Sequence, residues 1–284
     1  MGLSHAGLSH AARLARFGEI ATSLALLSDV RLGALLDDAQ PLSTGIGGTA
    51  ALLDVDGTPV FVKRVPLTDL ERLPANVMST ANLFGLPMFY HYGVGSAGVG
   101  VWRELAAHAM TTNWVLGGRS EGFPLMYHWR VLDERPARTP TADELASIER
   151  SVEYWHGSAA VRARLTAIAT ASARLVLCCE YVPYDLRQWL TAQVTVGAVE
   201  SACAMVESAL MRDVSFMNAN GLVHFDAHFG NIRTNGDRLY ITDFGLATSP
   251  RFDLSADELA FLERNSGHDG CHTIMELVNR LVTD

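Results

Sequence analysis

The sequence predicts an α+β chain of two lobes with its site between them. Three observations carry that expectation. A glycine-bearing turn at Gly45, Gly47 and Gly48 leads into an alternating hairpin that holds Lys63. The second half of the chain is dominated by apolar residues at helical spacing. Between them in character, the stretch from His224 to Gly245 places two carboxylates and an amide at fixed spacing, each just past an apolar run. Mixed hairpin and helical segments with polar groups converging from both suit a site at the junction.

The elements read in order as follows. Leu14, Phe17, Ile20, Leu24 and Leu27 recur at helical spacing, so residues 8–38 form one or two helices. Ala51–Val55 reads as a strand, Asp56-Gly57 as a hairpin turn, and Val60–Val65 as the return strand. Residues 66–100 are mixed, and a helix follows from Trp102 to Asn113. Pro124–Leu132 reads as a strand. A proline-bearing linker over 133–141 leads to a helical stretch from Ala142 to Thr170. Leu175–Cys179 reads as a buried strand. Asp185–Leu190 and Val196–Asn220 read as helices, the second stopped by Asn220-Gly221. A loop and short hairpin follow, then two helices near 255–264 and 271–282. The expected division is an N-terminal helical extension over 1–40, a first lobe over 41–179 with a helical insertion near 133–171, and a hinge with a reduced second lobe over 180–284.

Composition narrows the classes. A chain of 284 residues, 49% hydrophobic and 19% charged, can bury a sizeable core. Its net charge of −9 argues against nucleic acid as a partner. No apolar run approaches the roughly 20 residues of a membrane span. Cys178, Cys179, Cys203 and Cys271 form no C-x-x-C pair, and no secretory segment is read, so a reduced, cytoplasmic protein is expected. The repeat of Gly2–Ala6 at Gly7–Ala11 is a short duplication, not a repeat fold. Lysine and arginine total 22, yet Lys63 is the only lysine, in the middle of an apolar strand. Surface charge alone does not explain that choice.

The chemistry follows from residue types. Asp226 and Asn231 stand five apart, and Asp243 follows about a dozen residues later in Asp243-Phe244-Gly245. Phosphoryl transfer needs one carboxylate beside the attacking hydroxyl, and a carboxylate with an amide on the metal. Backbone N–H groups of a glycine turn can approach phosphate oxygens closely. A lysine ammonium can hold phosphates, with a carboxylate to fix it.

On these residues the chain resembles the protein-kinase-like superfamily over 41–65 and 101–245. Gly45-Ile46-Gly47-Gly48 is similar to a degenerate phosphate-covering loop, and Val62-Lys63 to the lysine strand. Glu104 in Trp102-Arg103-Glu104-Leu105 is similar to the glutamate that holds the lysine, with Glu71 and Glu121 as competitors. Glu180-Tyr181-Val182 resembles the hinge that meets adenine through its backbone. The resemblance implies ATP and Mg²⁺ as cofactors. It implies Asp226, Lys63 and Glu104 in catalysis. Gly45, Gly47, Gly48, Lys63, Glu180 and Val182 would lie on the nucleotide, with Asn231 and Asp243 on the metal.

Departures sharpen the type. Phe225 replaces the arginine that precedes the catalytic aspartate in ordinary protein kinases. His228 stands where Ser/Thr kinases place lysine. Asp-x-His-x-x-Asn resembles aminoglycoside-phosphotransferase-like and atypical bacterial kinases. The run after Asp243 reads as too short for an activation segment, an A-P-E anchor and the several further helices that dock a substrate chain, and it contains no A-P-E. The expected acceptor is therefore a hydroxyl of a small molecule or natural product. Asp243-Phe244-Gly245 keeps an atypical Ser/Thr protein or peptide kinase open, and an ATP-binding pseudokinase or a non-kinase binding module stands behind it. A full G-x-G-x-x-G at Gly93–Gly98 lies after the lysine and reads as a flexible connection into the Glu104 helix, or as a second phosphate contact. His228 reads as a structural loop histidine. His268–His272 reads as a helix start rather than a metal set, with Asp269 as a brace for the loop carrying Asp226.

Overall fold

The computed structural model describes residues 8–45, 47–92, 95–134 and 139–283. Gly2–Ala6 and Gly7 of the duplication, Ile46 of the glycine turn, Gly93 and Val94 of the glycine run, and residues 135–138 of the proline linker lie outside them.

The chain is mixed α+β. It begins with α1 (His10–Ala25) and α2 (Asp29–Asp37), each started by a serine, Ser9 or Ser28, whose hydroxyl accepts from a first-turn N–H. Three strands follow: β1 (Gln40–Gly45), β2 (Gly48–Val55) and β3 (Thr58–Leu67). The β2–β3 turn has Asp56 and Gly57 both at positive φ, the geometry that matches the twist of a hairpin. β1 was not expected as a strand; its Pro41 and polar residues lack alternation, and pairing with β2 makes it one.

A short helix α3 (Asp69–Arg72) precedes α4 (Val101–Leu116). Strand β4 (Met126–Asp133) comes next. The expected single helical stretch of 142–170 is two helices, α5 (Ala142–Tyr154) and α6 (Ala159–Ala169), broken where His156 and Gly157 take positive φ. They are inserted before β5 (Ala173–Glu180). These strands form one antiparallel sheet in the order β1-β2-β3-β5-β4.

The period of two along a strand gives the sheet two buried faces. Val60, Val62, Val176 and Cys178 pack with Ile20, Leu24, Leu32 and Leu36 of α1 and α2. Val65, Leu67, Leu175 and Leu177 pack with Val101, Trp102 and Leu105 of α4. Each fully buried side chain of this kind contributes roughly 1.5–3 kcal/mol. Lys63 has the parity of Val65, so the strand itself turns it toward α4.

The remainder is helical around a small sheet. It comprises β6 (Tyr184–Asp185), α7 (Leu186–Thr195), α8 (Val199–Ala219), β7 (Ile232–Thr234), β8 (Leu239–Ile241), α9 (Ala256–Arg264) and α10 (His268–Thr283). α8 starts after Gly197, which takes positive φ, and α10 starts three residues earlier than expected. Leu186 and Leu190 of α7 meet Val206, Ala209 and Leu210 of α8 over Phe229, Ile232 and Leu239. That packing fixes the loop 222–231 from below. No helix among the described residues is long and apolar enough to cross a membrane.

Candidate active site

Strand β3 delivers Lys63 between two carboxylates. Its Nζ lies 2.6 Å from Oε1 of Glu104 and 2.7 Å from Oδ1 of Asp243. Glu104 comes from the first turn of α4, and Asp243 from the segment just past β8. The competitors are engaged elsewhere: Glu71 faces Arg164, and Glu121 faces Arg13 and Arg238. Burial alone would favour a neutral amine, but Asp243 and Glu104 hold Lys63 well above the ordinary lysine value. Burial would likewise raise Asp243, yet the Lys63 ammonium outweighs it and holds that carboxyl down to about 2. Glu104 is more enclosed, and burial pushes its carboxyl up despite Lys63. One ammonium therefore serves the half-exposed carboxylate more fully than the buried one.

The loop 222–231 is organised from α10. Asp269 is fully buried; its carboxylate accepts from the backbone N–H of His224 at 2.7 Å and of Phe225 at 2.9 Å, and from Nδ2 of Asn218 at 2.8 Å. These donors, with the neighbouring histidines, overcome burial and hold its carboxyl below the usual range. Phe225 adopts φ 64° and Asp243 φ 61°. Left-handed backbone at two non-glycine residues costs of order 1–3 kcal/mol each and persists only where surrounding contacts impose it. His224 joins the two segments. Its Nε2 donates to the Thr242 carbonyl at 2.9 Å, and its Nδ1 accepts from the Asp226 N–H at 3.2 Å. That pairing places the ring proton on Nε2.

Asp226 and Asn231 are in contact. Nδ2 of Asn231 donates to the carbonyl and to Oδ2 of Asp226, both at 2.9 Å. The amide is thereby oriented, with its carbonyl oxygen turned to the other side. His228 caps the turn that follows it: its Nδ1 accepts from the Gly230 N–H, and Nε2 lies 3.9 Å from Asp226. Among the described residues no group of three or more His, Cys, Asp or Glu could hold a metal. Asn231 and Asp243 offer hard oxygen donors, which suits Mg²⁺, an ion that keeps waters and phosphate oxygens as its other ligands.

A cavity of about 610 Å³ opens between the large sheet and the small one. Gly45, Gly47, Gly48, Lys63, Glu180, Val182, Asn231 and Asp243 all line it. The glycine turn roofs Lys63: a Cβ on Gly47 would stand 3.8 Å from Nζ, and one on Gly48, at φ 135°, would strike the Arg64 carbonyl at 2.2 Å. Ala50, Phe61 and Cys179 make one end apolar. Asp226 and Glu104 line a smaller adjoining cavity that shares Gly47, Lys63 and Asp243.

Sequence reasoning missed several groups. The Val182 carbonyl accepts from Nε and Nη2 of Arg233, at 3.2 and 3.1 Å. The Glu180 carboxylate is held by Arg13 of α1, with Nε–Oε1 at 2.9 Å and Nη2–Oε2 at 2.6 Å. His108 lines the large cavity and Arg164 the small one. The signal available for both arginines was a charge on the apolar face of a helix. Arg13 shares its face with Ile20 and Leu24, and Arg164 shares its face with Val161. The connection before α4 is not loose as expected: Ala97 and Val99 are buried, and the Ala97 N–H donates to the Tyr90 hydroxyl. No protein-family model and no curated protein sequence matches this chain.

Proposed function

We propose that the chain is an ATP-dependent phosphotransferase with a two-lobed, protein-kinase-like fold. It moves the γ-phosphoryl group to a hydroxyl of a small molecule. One observation carries the reading: Lys63, Glu104, Asp226, Asn231 and Asp243, drawn from three distant stretches of sequence, line two adjoining cavities beneath one glycine turn. A cavity of about 610 Å³ is of the size that holds a nucleotide.

The roles proposed for each residue draw on what lines the two cavities. The adenine lies at the apolar end against Phe61 and Cys179, beside the backbone of Glu180–Val182. Lys63, fixed by Glu104, holds the α- and β-phosphates. Asn231 and Asp243 are the residues that would hold Mg²⁺, which supplies charge neutralisation on the phosphates. Asp226 accepts the acceptor's hydroxyl proton, its carboxylate aimed by the Asn231 amide.

The small-molecule preference is supported by Phe225. Its ring is buried against His91, Phe261 and His268, at 5.2, 5.4 and 5.2 Å between centroids. That ring stands where an arginine would receive a phosphorylated loop, and a phenylalanine cannot make that ion pair. The second reading, an atypical Ser/Thr protein kinase, draws on Phe244, fully buried against His108 and His224.

Asp226→Asn is the test. It is expected to keep Mg²⁺–ATP binding while lowering transfer by about 10²–10⁴-fold. Transfer at the wild-type rate would remove Asp226 from the mechanism. Turnover against hydroxylated antibiotics compared with Ser/Thr peptides separates the two enzyme readings. ATP binding without turnover on either panel favours a pseudokinase.

A further inference from the structure

Helix α6, in the insertion between β4 and β5, buries an arginine where apolar side chains belong. Arg164 is 2% exposed and lies with its guanidinium 5.1 Å from the Phe84 ring centroid. Nη1 lies 2.9 Å from Oε2 of Glu71 but off the line of a hydrogen bond, and neither Nη1 nor Nε has a hydrogen-bonding partner. Glu71 is already committed: it accepts from the Thr68 N–H and hydroxyl and from the Val101 N–H. A buried guanidinium with idle donors is costly, which marks it for a ligand or an unusual structural role.

The surroundings favour a ligand. Arg164 faces the smaller cavity, of about 80 Å³, together with Lys63, Asp226 and Asp243. Residues of 96–101 form one part of its wall and Gly47, Val65, Glu104, Gly245 and Leu246 another. A Cβ on Gly98, at φ 76°, would strike the Gly245 carbonyl at 2.7 Å. Glycine is therefore required for this segment to close down on the residues after Asp243. A space of this volume admits a phosphoryl-sized anion and little more. It also lies between the lysine assigned to the α- and β-phosphates and the aspartate assigned to the acceptor.

We propose that Arg164 contacts the transferring γ-phosphoryl group of ATP. The inference rests on the phosphotransferase reading above and deepens it. As the acceptor oxygen bonds to phosphorus, the bond to the β-phosphate bridging oxygen breaks and its electron pair leaves with ADP. The acceptor proton passes to Asp226. Arg164 exchanges no atom; its N–H groups donate to the equatorial phosphoryl oxygens, where charge is spread during transfer. The acidic neighbours Glu104, Asp226 and Asp243 require the anion to arrive with Mg²⁺.

The test compares binding of Mg²⁺–ADP, Mg²⁺–ADP with beryllium fluoride, a non-hydrolysable ATP analogue and inorganic phosphate, by calorimetry. Wild type is set against Arg164→Gln and against the charge-balanced pair Arg164→Gln/Glu71→Gln. Expected is a loss of about tenfold or more for the ATP analogue and for ADP–beryllium fluoride, with ADP affinity within about twofold. The ADP value doubles as the check on folding. Equal affinities in variant and wild type would overturn the assignment, as would a loss shared equally by ADP. An Arg164-dependent affinity for phosphate alone, with nucleotide binding untouched, would assign the pocket to an anionic acceptor group and overturn it too. Wild type binding no nucleotide would sink the underlying reading instead. If neither variant folds, backbone hydrogen exchange of 159–169 in wild type decides: slower exchange with ADP–beryllium fluoride than with ADP supports the contact, and equal exchange refutes it.

Discussion

Arg103 and Glu258 meet at 2.7 Å inside the protein, across 155 residues of chain. Their side chains are 1% and 4% exposed. Nε of Arg103 also donates to the Thr80 carbonyl at 2.6 Å. The pair ties α4 to α9 one residue away from Glu104, so the position of that glutamate depends on an element near the end of the chain. Losing one partner of a buried pair costs roughly 3–5 kcal/mol, mostly through the charge left behind. Arg103→Met is expected to fall in that range by urea unfolding. Glu258→Gln still accepts from the Ser255 N–H but leaves the Arg103 guanidinium buried without its counter-charge, so it should cost a similar amount. A cost under about 1 kcal/mol for either variant would show that the pair does not hold α4 to α9.

Asp269 governs the loop that carries Asp226. Replacing it with alanine leaves the N–H groups of His224 and Phe225 buried without acceptors, and frees Asn218. At about 1–3 kcal/mol for each orphaned donor, Asp269→Ala should destabilise by several kcal/mol. Asp269→Asn keeps one acceptor oxygen and should sit between. Chemical denaturation measures both, and a cost for Asp269→Ala under about 1 kcal/mol would contradict the bracing role.

Stability should fall with mild acid. Burial, reinforced by Arg103, lowers His91 to about 4, and burial, reinforced by Lys63, lowers His108 to about 3. Unfolding lets both take a proton near their ordinary 6.5, whereas the folded protein keeps them neutral. Their contribution is complete above pH 6.5 and is lost as the pH drops toward the folded values. Between pH 7.5 and 5.5 the two together should remove about 2–3 kcal/mol. Melting curves across this window check it, and His91→Gln or His108→Gln should each flatten the slope by about half. The depressed carboxyls of Asp243 and Asp269 act in the same direction only at lower pH, since their contribution is lost below the ordinary aspartate value.

Arg13 links α1 to the segment beside the large cavity. Besides Glu180 it serves the Phe123 carbonyl at 2.8 Å and the Glu121 carbonyl at 3.2 Å. Arg13→Ala should cost roughly 3–5 kcal/mol and weaken nucleotide binding by disordering Glu180–Val182. Arg13→Lys should recover only part, because one ammonium cannot reproduce the fork on Glu180. Thermal melts with and without ATP separate the two effects. An alanine variant that melts like wild type would mean that the Arg13–Glu180 pair does not hold α1 to this segment.

What the sequence made legible was chiefly local. The Asp56-Gly57 turn and the β3 alternation each depend on neighbours a few residues away, and the structure carries both as read. The Asp226–Asn231 spacing is local too, and the structure brings the two side chains into contact. Lys63 was legible because it was alone. Glu104 rather than Glu71 or Glu121 was read from the resemblance and not from its neighbours, since the rotation of α4 depends on tertiary packing, and the structure pairs it with Lys63. β1 escaped notice because its strand character comes from β2. Arg13, Arg103 and Arg164 escaped because a buried arginine is defined by distant partners, Glu180, Glu258 and Glu71, that no window of sequence contains.

The solitary lysine has one more consequence. Apart from the α-amino group, the chain holds a single primary amine, and it is clamped between two carboxylates inside the pocket. Any acylating or aldehyde reagent that finds side-chain amines has one place to react, and it can react only when that clamp opens. Once the α-amino group is subtracted, the stoichiometry of labelling therefore counts open sites, one per molecule, with no background from other lysines.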